Sequence, residues 1–478
     1  MNNKKFINPR LWSILMSFAI VGLLVSCSDD DEPSVVETTD TIVDLATSNA
    51  NLTVLTQALT KFPDLVTTLS NESGDFTVFA PTDEAFANLL AAVGQTSLDD
   101  IPESVIRRIL EYHVVAGTLM STDLTDGANA STVLGENVTV GIDGSSVAIN
   151  TSNVTIADVD AANGVVHIVD AVLIPGLEAS IVNTVVEPAY FNVNFTTLTA
   201  AVVQADLLST LINREAQFTV FAPNNAAFEA AGITSLEGIS NEDLANILLY
   251  HTLDSEVLAA NLPATGSTIE ALGGDFYLSI NDNGVFINGS TQVIATDVDA
   301  DNGVVHVIDR TLVAPTSNVV EIAVASTQAE TPEFTQLVAA LTAVENDASA
   351  ANLISVLSGD GPYTVFAPTD AAFAQLYADA GVEDLDGLIA AVGIGTLEAV
   401  LTYHVIGEAR VFSTDLPNLG TNTVTTLGGT FTLDLASLSI TETDAALSLN
   451  EDNDAGISSV DIHGTNGVIH VIDKVILP

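Results

Sequence analysis

The sequence contains few basic residues: 10 Lys and Arg stand against 62 Asp and Glu among 478 residues, a formal net charge of −52 at pH 7. Binding to nucleic acid requires clustered Lys and Arg that neutralise phosphates, and attachment to an anionic membrane surface requires a similar basic patch. The composition therefore argues against both classes of partner. Hydrophobic residues nevertheless make up 47% of the chain, and its length suggests roughly three globular domains.

Cysteine and tryptophan are almost absent. The single cysteine, Cys27, excludes an internal disulfide and a cysteine-rich metal site. The single tryptophan, Trp12, lies near the N-terminus, and aromatic residues are only 5% of the chain. Sugar-binding sites usually stack the sugar ring on exposed aromatic side chains, so this scarcity argues against a glycan-binding role without excluding it.

The N-terminus has the pattern of a secretion signal. Three basic residues precede a 15-residue, mostly apolar run at positions 11–25, which is shorter than the roughly 20 residues of a membrane-spanning helix. The run ends in Leu-Val-Ser-Cys at positions 24–27, which resembles the lipobox of bacterial lipoproteins. The resemblance implies that residues 1–26 are removed and that the thiol of Cys27 carries a diacylglycerol anchor. An uncleaved anchor or an ordinary secretion signal is the alternative.

An acidic segment follows the predicted lipidation site. Residues 28–33 read Ser-Asp-Asp-Asp-Glu-Pro, which resembles the export signal of surface lipoproteins of the Bacteroidetes type. We therefore predict a lipid-tethered spacer over residues 27–37 and attachment to the outer membrane, facing the cell exterior. A solvated acidic spacer without an export role is the alternative. Removal of the leader takes away three basic residues and no acidic ones. The remaining chain has seven basic and 62 acidic residues, a net charge of −55.

Three sequence blocks recur three times in the same order. The first block, Phe/Tyr-Thr-Val-Phe-Ala-Pro, begins at Phe76, Phe218 and Tyr363, so that the repeat length is 142 to 145 residues. The second block is the pair Tyr-His, at Tyr112-His113, Tyr250-His251 and Tyr403-His404. The third block, Asn-Gly-Val-Val/Ile-His, begins at Asn163, Asn302 and Asn466. A repeat of this length is a domain rather than a solenoid unit, and domain boundaries fall near residues 175–176 and 315–316.

These ordered blocks resemble the fasciclin domain, over essentially the whole chain from residue 38. The resemblance implies an α+β fold class, as three tandem fasciclin-like β-sandwich wedges with packed helices, at residues 38–176, 177–315 and 316–478. It also implies extracellular adhesion and matrix interaction, without catalysis.

The residues of the blocks favour the same fold. The first block alternates as a β-strand, and Asn-Gly predicts a tight turn that leads into a buried strand. Two neighbouring residues after each first block can cap the helix that follows. These cap candidates are Thr82 and Asp83, Asn224 and Asn225, and Thr369 and Asp370.

Six of the seven histidines lie in the second and third blocks, and His463 is the exception. Each Tyr-His pair ends a run with apolar residues at i, i+3 and i+4 before the histidine at i+7, as in Ile106, Ile109, Leu110 and His113. This spacing places the histidine on the buried stripe of a helix, near its C-terminus, and favours a packing role. The family resemblance implies an adhesive role for the same region, so the six residues of the Tyr-His pairs are also candidate adhesion-motif residues.

Enzyme signatures are missing from the sequence, which contains no Gly-x-Ser-x-Gly elbow, no His-Glu-x-x-His zinc helix and no P-loop. We therefore predict no catalytic residues. One run, with Asp297, Asp299 and Asp301 before Asn-Gly, has the alternating acids of a calcium loop, and calcium is the one cofactor that the sequence suggests. Position twelve of that loop is Ile308 rather than Glu, which favours the alternative of an ordinary turn.

The sequence thus predicts a non-enzymatic cell-surface lipoprotein that uses three fasciclin domains for multivalent adhesion to extracellular matrix or neighbouring cells. The predicted partners are an unknown protein or glycan at the cell exterior, and the membrane through the lipid on Cys27, but not nucleic acid. Two alternatives remain. One is a glycan- or polymer-binding accessory lipoprotein for nutrient capture, and the other is a periplasm-facing lipoprotein with a structural role in the envelope.

Overall fold

The computed structural model describes residues 39–264, 266–416, 423–434, 439–442 and 454–478. The predicted signal peptide, the lipidation site Cys27 and the acidic spacer lie outside the described residues and stay predictions. Within the described ranges, no single helix is long and apolar enough to cross a membrane. Two neighbouring helices, Leu385–Val392 and Ile394–Tyr403, meet the length and composition test only as a pair, which is bent by 106°.

The elements follow one another in three similar sets. Domain 1 contains α1 (Ile42–Ser48), α2 (Thr53–Thr60), α3 (Pro63–Leu69), β1 (Phe76–Pro81), α4 (Asp83–Ala92), α5 (Glu103–Tyr112), β2 (Val114–Ala116), β3 (Asn129–Ser131), β4 (Asn137–Asp143), β5 (Ser146–Ile149), β6 (Ser152–Ala161) and β7 (Gly164–Val169). Domain 2 contains α6 (Gly176–Ile181), α7 (Glu187–Tyr190), α8 (Thr196–Gln204), α9 (Leu208–Leu211), β8 (Phe218–Pro223), α10 (Asn225–Ala230), α11 (Asn241–Tyr250), β9 (Thr252–Leu253), β10 (Ser267–Ala271), β11 (Gly274–Asn281), β12 (Gly284–Ile287), β13 (Thr291–Ala300) and β14 (Gly303–Ile308). Domain 3 contains α12 (Val319–Ser326), α13 (Thr335–Glu345), α14 (Leu353–Leu357), β15 (Tyr363–Pro368), α15 (Asp370–Ala380), α16 (Leu385–Val392), α17 (Ile394–Tyr403), β16 (Val405–Gly407), β17 (Thr423–Thr425), β18 (Thr430–Asp434), β19 (Ser439–Glu442), β20 (Ala455–Gly464) and β21 (Gly467–Ile472). Short 3₁₀ turns occur at Leu98–Asp100, Val193–Phe195 and Ala259–Asn261.

Each domain is built on one seven-stranded sheet, with the strand order β2-β1-β7-β6-β5-β4-β3 in domain 1 and the equivalent order in the other two. The central strands β1 and β7 pair in parallel, and the other neighbours in domain 1 pair antiparallel. A bridge between Val115 and Thr132 brings the two ends of this sheet together. The sequence prediction of an α+β fold, with sheet wedges and packed helices, is confirmed.

Two apolar cores stabilise each wedge. In domain 1 the sheet encloses a small core that contains Phe79 and Ile149, while the helices pack a second core, with Phe86 and Ile109, against the outer face of the sheet. The helix-side core continues without a break into domain 2, where it includes Phe191. Domains 1 and 2 therefore share buried apolar surface, and the helix-side core of domain 3 is separate.

The parallel pairing of β1 with β7 explains the glycine of the third block. Gly164 pairs with Phe76 and has a φ of +139°, and a Cβ atom at this position would lie 1.8 Å from the Phe76 carbonyl oxygen. Any side chain would force the two strands apart. The preceding Asn163 is buried; its Oδ1 accepts the Ile42 N–H at 2.9 Å, and its Nδ2 donates to the Leu69 carbonyl at 2.8 Å. The Asn-Gly pair thus makes the predicted tight turn and also fixes the first helix on the sheet.

Both cap candidates after the first block are used, each on a different helix. The Thr82 hydroxyl accepts the Ala85 N–H at 3.2 Å and caps α4, as predicted. The Asp83 carboxylate accepts the Val54 N–H at 2.8 Å and the Thr53 hydroxyl at 2.6 Å, so it caps α2 instead. The equivalent residues make the same division in domains 2 and 3. Two adjacent side chains therefore lock two helices together.

The substitution Asp83→Ala is expected to lower the free energy of unfolding of domain 1 by about 1–2 kcal/mol, the usual value of a helix cap. Urea unfolding followed by circular dichroism measures the change. Glu84→Ala is the matched control, because Glu84 is exposed in the first turn of α4 and is expected to cost less than about 0.5 kcal/mol. Equal effects at the two positions would contradict the capping assignment.

Candidate interaction surface

Each Tyr-His histidine caps the C-terminal end of a helix and holds the last segment of its domain. In domain 1, His113 follows α5; its Nδ1–H donates to the Ile109 carbonyl at 2.6 Å, and its Nε2 accepts the Leu173 N–H at 2.9 Å. His251 and His404 make the same two bonds. These partners assign the neutral tautomer with the proton on Nδ1. Burial lowers the pKa of all three histidines from 6.5 to about 4.

The tyrosine of each pair is also a core residue. The Tyr112 hydroxyl donates to the Asn137 carbonyl at 2.9 Å and accepts from Asn150 Nδ2 at 3.0 Å, inside the core that the sheet encloses. The six residues of the three pairs are only 1 to 4% exposed: Tyr112, His113, Tyr250, His251, Tyr403 and His404. The six candidate adhesion-motif residues are therefore core residues, and the adhesive role of the region around them stays a prediction. They lie on the apolar stripe of a helix, and a partner can reach only the residues around them.

The substitution Tyr112→Phe is expected to destabilise domain 1 by about 1–2 kcal/mol, because it leaves the Asn137 carbonyl and the Asn150 amide without their buried partner. Urea unfolding measures the change. Tyr363→Phe is the matched control, since the Tyr363 hydroxyl donates to the Val356 carbonyl at the surface, and the expected change there is below about 0.5 kcal/mol. Weaker binding to a partner with unchanged stability would restore a contact role to the Tyr112 hydroxyl.

The histidine of the third block supports a bulge in the neighbouring strand. Asp158 lies at the bulge of β6 with a φ of +57°, and its N–H donates to His167 Nδ1 at 3.3 Å. His167 Nε2–H donates to the Leu119 carbonyl at 2.8 Å, and the Asp158 carboxylate accepts the Ser121 N–H at 2.7 Å. This set fastens the loop after β2 to the sheet. The equivalent pairs are Asp297 with His306 and Asp461 with His470.

The three aspartates of the predicted calcium loop have different surroundings. Asp297 is the bulge residue of β13 and accepts the Ala259 N–H at 2.8 Å. Asp301 pairs with Arg214 at 2.6 Å, and Asp299 is exposed on the strand. Across the described ranges, no group of three or more His, Cys, Asp or Glu side chains is arranged to hold a metal ion. The structure therefore does not bring the three carboxylates together as one set of ligands.

Five of the scarce basic residues make contacts with groups of the same chain. Lys61, Arg107, Arg108 and Arg214 contact acidic side chains at 2.5 to 3.1 Å. Arg410 donates to backbone carbonyls of its own domain at 2.8 and 3.0 Å. Because 62 acidic residues face only 10 basic ones in the whole chain, most carboxylates have no cation to neutralise them. The outer surface is therefore anionic over all three domains.

Domains 1 and 2 are joined by an ion pair with a buried carboxylate as well as by their common core. Glu178 of α6 is fully buried and accepts from Arg108 Nε at 2.6 Å and from the Tyr190 hydroxyl at 3.0 Å. Glu136 contacts the same guanidinium at 3.1 Å. Burial and the neighbouring Glu178 carboxylate raise the pKa of Tyr190, which keeps the hydroxyl available as a donor. These four side chains are thus paired with one another.

Domains 2 and 3 meet through aromatic rings and an arginine. The Arg410 guanidinium lies 4.1 Å from the centre of the Tyr277 ring, a distance at which a cation is attracted to the ring. The centres of the Phe412 and His463 rings lie 6.2 and 5.8 Å from that of Tyr277. His463 has no counterpart in the repeated blocks, because its contacts are with a neighbouring domain and a pattern that recurs in every domain carries no information about them.

Most of the chain matches a known protein family. Residues 50–175, 193–314 and 332–478 match the fasciclin domain family. The chain belongs to the fasciclin domain family. Its tandem arrangement of three fasciclin domains was the prediction from the sequence, and it is confirmed.

Individual relatives of this fasciclin chain match it in part. Human periostin is 29% identical over 308 residues, which are 63% of this chain and 34% of periostin, so the chain spans about a third of that relative. Protein sll1483 of Synechocystis sp. is 42% identical over 135 residues, 28% of this chain and 73% of that protein. The solved FAS1 domain pair from the insect cell adhesion molecule fasciclin I is 20% identical and covers 54% of this chain and 95% of its own, with a TM-score of 0.25.

Proposed function

We propose that this fasciclin protein is a non-enzymatic lipoprotein of the outer cell surface, whose three domains bind matrix or neighbouring cells through several weak contacts. The observation that carries the proposal is the contrast between a buried set of repeated residues and an anionic outer surface. The repeated tyrosines and histidines are buried in the fold, whereas the outer surface of all three domains is anionic. Three binding surfaces on one chain, and many chains on one membrane, raise the overall affinity through effective concentration.

The attachment half of the proposal depends on Cys27 and is tested on intact cells. Protease added outside is expected to degrade the wild-type chain, and Cys27→Ser is expected to release the protein from the membrane fraction. Protection of the chain in intact cells would contradict exposure at the surface and support the periplasm-facing alternative. Unchanged membrane attachment of Cys27→Ser would contradict the lipid anchor.

The adhesion half is tested by counting cells that adhere to matrix or to one another, with the Cys27→Ser strain as the unanchored control. Anionic contacts are screened by salt, because the Debye length falls from about 10 Å at 0.1 M to about 3 Å at 1 M. Adhesion by the wild-type strain is therefore expected to fall several-fold over this range and to respond to divalent cations. Adhesion that is indifferent to both would contradict the proposal.

A further inference from the structure

The junction between domains 2 and 3 holds several unpartnered polar atoms. Among the described residues, three buried side-chain atoms at this junction have no hydrogen-bond partner: Arg410 Nε, Thr414 Oγ1 and His463 Nε2. Ser279 and the Asp415 carboxylate, also buried here, lie close enough to interact with each other. Closure removes the three unpartnered atoms from water without supplying partners, which opposes docking. The junction between domains 1 and 2, with its paired Arg108 and Glu178, has no such feature in the described residues.

The closed junction is nevertheless tightly packed. A Cβ atom on Gly289 of domain 2 would lie 2.7 Å from the Asp461 carboxylate and from the Phe412 ring of domain 3. Asn281 Nδ2 donates across the junction to the Thr414 carbonyl at 2.9 Å. The contact surface is therefore well fitted in shape, although some of its buried polar atoms have no hydrogen bond.

His463 is a group at this junction whose ordinary pKa, about 6.5, lies near neutral pH when the ring is hydrated. Its ring packs on Phe412 and Tyr277, at 5.5 and 5.8 Å between ring centres. Burial, and then the neighbouring Arg410 guanidinium, lower the pKa of His463 from 6.5 to about 3. Protonation in the closed state would place a second positive charge beside Arg410 without adding a hydrogen-bond acceptor.

The other titratable groups at the junction do not offset that charge. The Asp461 carboxylate is already engaged by the N–H and hydroxyl of Ser413, and the Tyr250 and Tyr277 side chains lie near Arg410. His470 hydrogen bonds through its two ring nitrogens inside domain 3. Burial raises the pKa of Asp415, so its protonation favours the closed state and acts in the opposite direction to His463.

We propose that the junction between domains 2 and 3 is a pH-sensitive hinge, closed while His463 is neutral and opened when His463 takes up a proton. In the open state the ring is hydrated and binds a proton near its ordinary pKa of about 6.5. The equilibrium constant for closure therefore falls about tenfold per pH unit below 6.5, or about 30-fold at pH 5. Neutralisation of surface carboxylates weakens the repulsion between the domains and favours closure, so it cannot produce this opening.

The hinge is tested by fluorescence energy transfer in the full chain. Dyes are attached at Glu229→Cys in domain 2 and Glu383→Cys in domain 3, both exposed positions, in a Cys27→Ser background that leaves no other cysteine. The low-transfer population is expected to rise as the pH is lowered from 7.5 to 5.0. The substitution His463→Gln keeps a neutral polar group at the same place and is expected to abolish the rise. Tyr277→Ala removes the cation–π contact and is expected to open the hinge at every pH.

Two results would overturn the hinge. One is a constant transfer efficiency from pH 7.5 to 5.0 in the parent chain while Tyr277→Ala is open, since the dyes then report opening that acid does not cause. The other is an unchanged pH response in His463→Gln. Should circular dichroism show that His463→Gln unfolds domain 3, His463→Asn carries the same expectation. Asp415→Asn is expected to increase the open fraction at low pH, because it removes the group whose protonation favours closure.

Discussion

Arg108→Ala is expected to destabilise the unit formed by domains 1 and 2 by about 2–3 kcal/mol, less than for a fully buried ion pair because the Arg108 side chain is 34% exposed and only its partner is buried. Glu178 has no solvent exposure, so loss of the guanidinium leaves a buried carboxylate with only the Tyr190 hydroxyl as partner. Urea unfolding of the full chain, followed by circular dichroism, measures the change as a shift of the transition that contains these two domains.

Arg107 supplies a closely matched control, because it is the next residue of the same helix. It pairs with Asp64 and Glu111 at the surface, where an ion pair contributes about 0–1 kcal/mol. Arg107→Ala is therefore expected to have a small effect. The double substitution Arg108→Met with Glu178→Leu is expected to recover most of the lost stability, because no buried charge remains. Similar effects of Arg108→Ala and Arg107→Ala would contradict the role of the pair with the buried carboxylate.

Acidification from pH 7 to pH 4.5 is expected to cost each domain about 2–3 kcal/mol through its Tyr-His histidine. His113, His251 and His404 have pKa values of about 4 in the folded chain, below the ordinary 6.5. The unfolded chain therefore binds more protons in this window. The stabilisation is complete above pH 6.5, is lost progressively as the pH falls towards 4, and does not change further below that.

Urea midpoints at several pH values measure this loss. They should be recorded in about 1 M salt, because protonation of the many carboxylates relieves repulsion and stabilises the fold, and salt screens that opposing effect. Under these conditions the midpoint is expected to fall steadily below pH 6.5. A midpoint that stays constant or rises between pH 6.5 and 4.5 would contradict the burial of the three neutral imidazoles.

Features whose contacts lie within one domain, and which recur in all three domains, could be predicted from the sequence. The spacing of Ile106, Ile109 and Leu110 before His113 predicts a packed helix end, and that is where the structure places the histidine. The burial of the histidine follows from this spacing alone, while the adhesive role that the family resemblance implies for the same region stays a prediction. A further signal was available: an aspartate precedes the third-block histidine by nine residues in all three copies, as in Asp158 and His167, and this pair supports the strand bulge.

Features that depend on distant contacts could not be read in the same way. Nothing near Asp83 indicates that it caps a helix that begins 30 residues earlier at Thr53. The contacts among Tyr277, Arg410 and His463 join two domains that the repeats describe separately. The alternating aspartates before Asn-Gly follow a calcium-loop pattern, but a bulged strand gives each carboxylate different neighbours, and a linear pattern carries no information about the bulge.

Two of the few basic residues lie at the junctions between domains. Only seven basic residues follow the predicted leader, and two of them, Arg108 and Arg410, join one domain to the next. One cation thus lies at each place where an acidic domain approaches the next, and it offsets part of the repulsion between them. The other paired cations, such as Lys61 and Arg107, contact acidic residues of their own domain.

The central claim is that the Tyr-His pairs belong to the interior of the fold and that partners contact the surface around them. The most direct test is the pH titration of the ring resonances of His113, His251 and His404 by ¹H–¹⁵N NMR in the intact chain. All three rings are expected to remain neutral, with the proton on Nδ1, from pH 8 down to about pH 5. A ring that titrates with a midpoint near 6.5, or that carries its proton on Nε2, would contradict the account and return that pair to the candidate contact surface.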